Sequence, residues 1–250
     1  MRVDRVALAL LALSCAAQLA CAQNAPWNYR GKYGPLAWGK LDPAYRACSE
    51  GHQQSPIDIR GARRNRALMP IEFHYISGSV KLQNDGHTIL VLVNPGSYIL
   101  ADGVRYDLVQ YNFHHPGETP VNGRLSDMDV QFLHKSADGK MVIIEVLLRE
   151  NQDAPNATLS TLWQHLPEKL GATETITDMV NPGGLLPAER NYWTYMGSLS
   201  TPPCTEGVRW YVLEDPITLS RDQLRAFTAL FPLNSRPVQD PHGRIIEGNR

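Results

Sequence analysis

Tyr106-Asp-Leu-Val-Gln-Tyr-Asn-Phe-His114 runs directly into His115-Pro-Gly-Glu118. Val, Tyr and Phe favour extended backbone, and Pro116-Gly117 stops the run, so the stretch reads as a strand closed by a turn. Similar short runs lie on both sides of it. Residues 71–75, 80–83, 88–93 and 98–100 precede it; 129–134, 141–148 and 208–213 follow. Asn84-Asp-Gly86, Asp102-Gly103, Asn122-Gly123 and Asp138-Gly139 supply turns between them. The pattern predicts a mainly β protein built on one large, mostly antiparallel sheet.

Two segments depart from the pattern. Leu159, Leu162, Trp163, Leu166 and Leu170 fall at helical spacing and predict an amphipathic helix. Ser220-Arg-Asp-Gln223 is a capping box, and Leu224, Phe227, Leu230 and Phe231 give the helix after it an apolar face. Residues 23–60, rich in Gly, Pro and aromatics, show no sustained period and read as an irregular segment laid over a core.

The chain has 250 residues, 43% of them hydrophobic and 20% charged, which suits one sizeable core and one domain. Its formal net charge of −1, with no basic stripe, argues against a nucleic-acid partner. Arg60, Arg63, Arg64 and Arg66 read as a solvated loop. Arg2 and Arg5 precede an apolar run over 6–13, and Ala20-Cys-Ala22 suits signal peptidase. Residues 1–22 are thus expected to be a signal peptide and 23–250 the folded domain, exported to the periplasm or secreted. No later run is long enough for a transmembrane helix. Cleavage would leave Cys48 and Cys204, which read as one disulfide or as two separate buried thiols.

Five motifs then occur in order: WNYRGKYGPLAW (27–38), LDPAYRACSEGHQQSPIDI (41–59), LQNDGHTI (82–89), GSLSTPPCTEGVRW (197–210) and NSRPVQ (234–239). Together they resemble the α-class carbonic anhydrases, the bacterial exported members in particular. The resemblance covers essentially all of 23–250. It implies a twisted, mainly antiparallel central sheet of about ten strands with short peripheral helices. It also implies a disulfide between Cys48 and Cys204. The activity implied is that of a lyase, carbonate dehydratase, hydrating CO2 to bicarbonate on a zinc held by three histidines.

At the zinc ligand positions the chain departs from the family. The resemblance places the ligands at Asn112, His114 and Gln131, so two of the three histidines are replaced by amides. His115 and His134 do not compensate, because their spacing turns them to the other face of their strands. The resemblance makes His87 the proton-shuttle position. It pairs Glu118 with the hydroxyl of Ser200, next to Thr201, in the catalytic set. Gln110 and Asp129 stand behind the ligands, with Asp129 expected to hold the Gln131 amide. Leu133, Ile143, Leu199 and Trp210 match the apolar pocket wall. Glu145 falls where the family has a small residue, and no partner for it is evident in the sequence.

The expectation is a carbonic-anhydrase-like protein with a degraded zinc site and little or no CO2 hydration. Zinc would be absent or weakly bound, and the pocket would serve binding of a small molecule, CO2, bicarbonate or another ligand. One alternative is a weakened carbonic anhydrase whose labile zinc rests on His114 and amide oxygens. A second is a metal-free acid–base catalyst acting on another small substrate. The sequence does not specify an oligomeric state.

Overall fold

The computed structural model describes residues 26–250. The expected signal peptide lies outside the described residues. Among these described residues, thirteen strands form one sheet. They are β1 (Arg63–Arg64), β2 (Glu72–His74), β3 (Gly78–Asn84), β4 (Ile89–Val93), β5 (Tyr98–Ala101), β6 (Val104–His114) and β7 (Met128–Lys135). The chain continues through β8 (Met141–Glu150), β9 (Thr173–Val180), β10 (Tyr192–Ser198), β11 (Glu206–Leu213), β12 (Ile217–Leu219) and β13 (Glu247–Gly248). The continuous order is β1-β13-β10-β11-β8-β7-β6-β4-β3-β9, with β2, β5 and β12 as side additions. Most pairs are antiparallel; β1 with β13, and β8 with β11 and with β12, are parallel. The large, mainly antiparallel sheet is therefore present.

Alternation along the three central strands separates the two faces. Tyr111 and Phe113 on β6, Val130 and Phe132 on β7, and Ile144 and Val146 on β8 join the larger core. Leu159, Leu162 and Phe227 close that core from helices α3 (Ala157–Trp163) and α4 (Arg221–Leu230). The opposite face carries a second cluster in which Ile143, Leu147, Trp210 and Val212 pack with Ile57 and Ile59. That second face also holds Asn112, His114 and Gln131. Short helices α1 (Trp38–Leu41) and α2 (Ala47–Glu50) sit beside a third cluster around Trp38 and the Cys48–Cys204 disulfide.

The expected helix spacing over 159–170 runs too far. Helix α3 stops at Trp163, and Leu170 is 76% exposed beyond it. Pro167 disfavours helical backbone at the residue before it and lacks the N–H a helix would need. The capping box at Ser220 forms as read, with Gln223 bonding back to the Ser220 backbone. Arg63 and Arg64, expected in a loop, are exposed but pair with β13. Strand β9 lacked a strand signature because it is an edge with six of eight residues exposed, so burial imposes no apolar alternation on it.

Candidate active-site pocket

Register across three strands assembles the site. Asn112 on β6 stands opposite Gln131 on β7, and Gln131 stands opposite Glu145 on β8. One step along, His114 stands opposite Asp129. Directly opposed residues share a face, so amide, amide and carboxyl form one row beside an imidazole and a second carboxyl.

His114 is 1% exposed. Its Nδ1 lies 2.8 Å from Asp129 Oδ1 and 3.9 Å from Glu118 Oε2. Its Nε2 lies 3.1 Å from Asn112 Nδ2. Burial opposes the charged ring, but Glu118 and Asp129 outweigh it and push the His114 pKa up to about 9. In the neutral ring, Nδ1–H donates to Asp129 and Nε2 accepts the Asn112 amide. In the charged ring, Nε2–H donates, and a half-turn of the amide presents Asn112 Oδ1 to it.

Glu118 is equally buried. Its Oε1 accepts the backbone N–H of Arg236 at 2.7 Å, and its Oε2 accepts Gln131 Nε2 at 3.0 Å. The Ser200 hydroxyl also donates to it. Burial raises its pKa, His114 opposes the rise, and nearby Asp129 adds to it. The expected Asp129–Gln131 bond is the long one, at 3.5 Å. Asp129 turns instead to His114 and, through Oδ2, to the Glu118 backbone N–H at 2.6 Å. The reason is register: Asp129 faces His114 across the ladder, whereas Gln131 is two residues along its own strand.

Glu145 has partners after all. Thr119 Oγ1 donates to its Oε2 at 2.6 Å and Thr119 N–H to its Oε1 at 3.3 Å. Burial, with Asp129 beside it, holds its pKa well above the usual carboxylate range. Both causes favour the protonated, uncharged form of the carboxyl. Sequence reading missed Thr119, which lies 26 residues from Glu145 with no motif linking them. Arg236, in the last of the five motifs, is also part of the support. Its guanidinium donates to Gln54 Oε1, Ser55 O and Cys48 O at 2.8–2.9 Å. It thereby ties the disulfide-bearing segment to the wall behind Glu118.

A cavity of about 130 Å³ opens over this row. Its polar side is Gln110, Asn112, Gln131, Ser200 and Thr201; its apolar side is Leu133, Ile143 and Leu199. His114 and Glu118 do not line it. The two amides cover them, as their hydrogen bonds require. Trp210, expected in the wall, is fully buried behind it and donates through Nε1 to Ser198 O at 2.8 Å.

His87 is not brought to this cavity. Its ring stacks on Trp27 with centroids 3.6 Å apart and planes 5° from parallel. It lines a separate cleft of about 310 Å³ with Asn28, Tyr29 and Asn234. Its Nδ1 is buried without a partner among the described residues, and burial lowers its pKa despite Asp85. His115 turns away, with its backbone N–H on Asn234 Oδ1 at 2.8 Å. His134 is buried in the opposite core, 2.9 Å from Tyr75 Oη and 3.0 Å from the Phe132 carbonyl. Strand parity predicted both positions.

The eukaryotic-type carbonic anhydrase family model matches residues 33–250. A carbonic anhydrase of Pectobacterium carotovorum is 37% identical over 243 residues, covering 97% of this chain and 98% of the relative. The α-carbonic anhydrase of Thermovibrio ammonificans, solved with the inhibitor sulfanilamide, superposes with a TM-score of 0.87 at 38% identity. It covers 90% of this chain and 100% of that one. Dioscorin, solved with ascorbate, superposes with a TM-score of 0.82 at 28% identity over 89% of this chain and 97% of its own. The family model, the relative and the shared fold agree, and the chain belongs to the α, or eukaryotic-type, carbonic anhydrase family.

Proposed function

We propose that this chain is an exported member of the family that has exchanged zinc-dependent CO2 hydration for binding of a small molecule in the same pocket. The observation that carries the reading is the pair Asn112 and Gln131 at ligand positions, each with its amide committed to a buried neighbour. Zinc takes imidazole, thiolate and carboxylate, and amide oxygens are weak, neutral ligands for it. One imidazole and two amides do not fit the ion. Gln131 is further held by Glu118, and Asn112 by His114, which a metal would have to displace.

When bound in this family, zinc lowers the pKa of a water from 15.7 to about 7. No side chain of this cavity supplies a substitute hydroxide at neutral pH. The protein's own residues instead shape a closed polar floor beneath an apolar wall. Dioscorin, a related chain, is recorded with a small organic molecule, ascorbate; its example supports binding as a use of the fold.

Export is supported by the charged, apolar and small-residue order of residues 1–22 and by the Cys48–Cys204 disulfide. Among the described residues no helix is long and apolar enough to cross a membrane.

Metal analysis of the purified mature chain, with stopped-flow CO2 hydration on the same sample, tests the reading. The expected result is substoichiometric zinc and turnover indistinguishable from the uncatalysed rate. Stoichiometric zinc with robust hydration would overturn it.

A further inference from the structure

The cavity states what kind of molecule it accepts. Its polar side is made of carboxamides and hydroxyls, and no charged side chain lines it. The ionisable groups beneath it, His114, Glu118, Asp129 and Glu145, are each no more than 1% exposed and do not line it, and Asn112 and Gln131 bond to the first two. A charged ligand entering here gives up its water without reaching an opposite charge, which is strongly unfavourable. A purely apolar ligand would strip water from the amide floor and leave it unpaired.

The orientation of one amide is set. Gln131 points Nε2 at two carboxyl groups, 3.0 Å from Glu118 Oε2 and 3.5 Å from Asp129 Oδ2. Its Oε1, which has no protein partner among the described residues, is the atom left for a ligand, and it needs a donor. Thr201 adds a hydroxyl, and Asn112 adds whichever amide atom is not on His114. A ligand edge that donates through N–H and accepts through C=O satisfies this floor. Opposite lie Leu133, Ile143 and Leu199, which call for an apolar body.

We infer that the pocket binds small, uncharged primary carboxamides carrying a compact apolar group. The amide NH2 meets Gln131 Oε1, the amide oxygen meets the hydroxyl and amide donors beside it, and the apolar group lies on the Leu133–Ile143–Leu199 wall. This rests on the metal-free reading above and narrows its ligand to one chemical class.

Benzamide, benzoate and benzylamine test it, because they share one ring and differ in charge. Zinc content of the full mature chain is measured first. Stoichiometric zinc overturns the metal-free reading and this inference with it. In the zinc-free chain, isothermal titration at pH 7 is expected to give benzamide a Kd of about a millimolar or tighter. Benzoate and benzylammonium are expected at least about tenfold weaker, for want of a countercharge. Gln131→Met, close in length but without the carbonyl, should weaken benzamide by about tenfold. Equal or tighter binding of either ion, or no binding of benzamide, overturns the carboxamide inference while leaving the metal-free reading standing. The ligand series on the unmodified chain decides the matter even if the variant does not fold.

Discussion

Gln131 donates a 3.0 Å hydrogen bond from Nε2 to Oε2 of Glu118. A histidine at this position would aim a ring nitrogen into the pocket; the amide instead closes onto the carboxylate beneath it. Asn112 does the same toward His114. The site is thus filled from within, by one bond along β6 and one from β7 to the turn that follows β6.

The first prediction reverses that change. Asn112 and Gln131 are opposed across β6 and β7, and Asp129 already binds His114 Nδ1, which leaves Nε2 for a metal. Asn112→His combined with Gln131→His should therefore bring three imidazoles together and bind about one zinc per chain. Metal analysis after dialysis against a weak chelator checks this. A folded double variant that still holds no zinc would show that Glu145 and its neighbours have also rebuilt the cavity.

Glu145 gives a pH prediction. Its folded pKa lies well above the ordinary 4.5, so the folded chain holds a proton the unfolded chain releases. Its contribution to stability is full below about pH 4.5 and is lost as pH rises toward the folded value. Glu145→Gln keeps the shape and removes the titration. Relative to the unmodified chain, the variant should gain stability between pH 4.5 and 7, by at most about 1.4 kcal/mol per pH unit. Urea unfolding at the two pH values reads the difference; a gap that shrinks with rising pH would refute it.

His134 acts in the opposite sense. Burial lowers its pKa from 6.5 to about 3, so between these values the unfolded chain binds more protons. Stability associated with the neutral ring is present above about pH 6.5 and lost as pH falls toward 3, with a slope up to about 1.4 kcal/mol per pH unit. His134→Phe should flatten this limb of the stability curve, whatever it does to the absolute value. Guanidinium midpoints from pH 7 to pH 4 measure the slope, and an unchanged slope would exclude the role.

The disulfide closes a sequence separation of 156 residues. Cys48→Ser with Cys204→Ser should lower stability by about 2–5 kcal/mol, largely by releasing the unfolded chain. Thermal unfolding of the double variant checks the direction; no change would mean that the Arg236 bonds to Gln54, Ser55 and Cys48 hold the segment by themselves.

Much of this was legible in the residues. The eight anticipated strand runs all lie on observed strands, because buried alternation and Gly-containing turns leave a local signature. Five strands were not anticipated: edge strand β9, the two-residue strands β1 and β13, the three-residue β12 and the interior strand β10, whose pairing is decided by neighbours far along the chain. Among site residues, the parity of Asn112, His114 and Gln131, with His115 and His134 facing away, followed from the two-residue repeat of a strand.

What the sequence determined by itself was therefore most strands of the sheet, the inward face of its central strands and the placing of the amides Asn112 and Gln131 on that face. Tertiary structure decided what each replacement does. It set Asp129 against His114 rather than Gln131, gave Glu145 to Thr119, drew His87 onto Trp27, and sealed His114 and Glu118 beneath two amides. These partners come from different strands and loops. Their distances depend on cross-strand register and burial, which no local run of residues encodes.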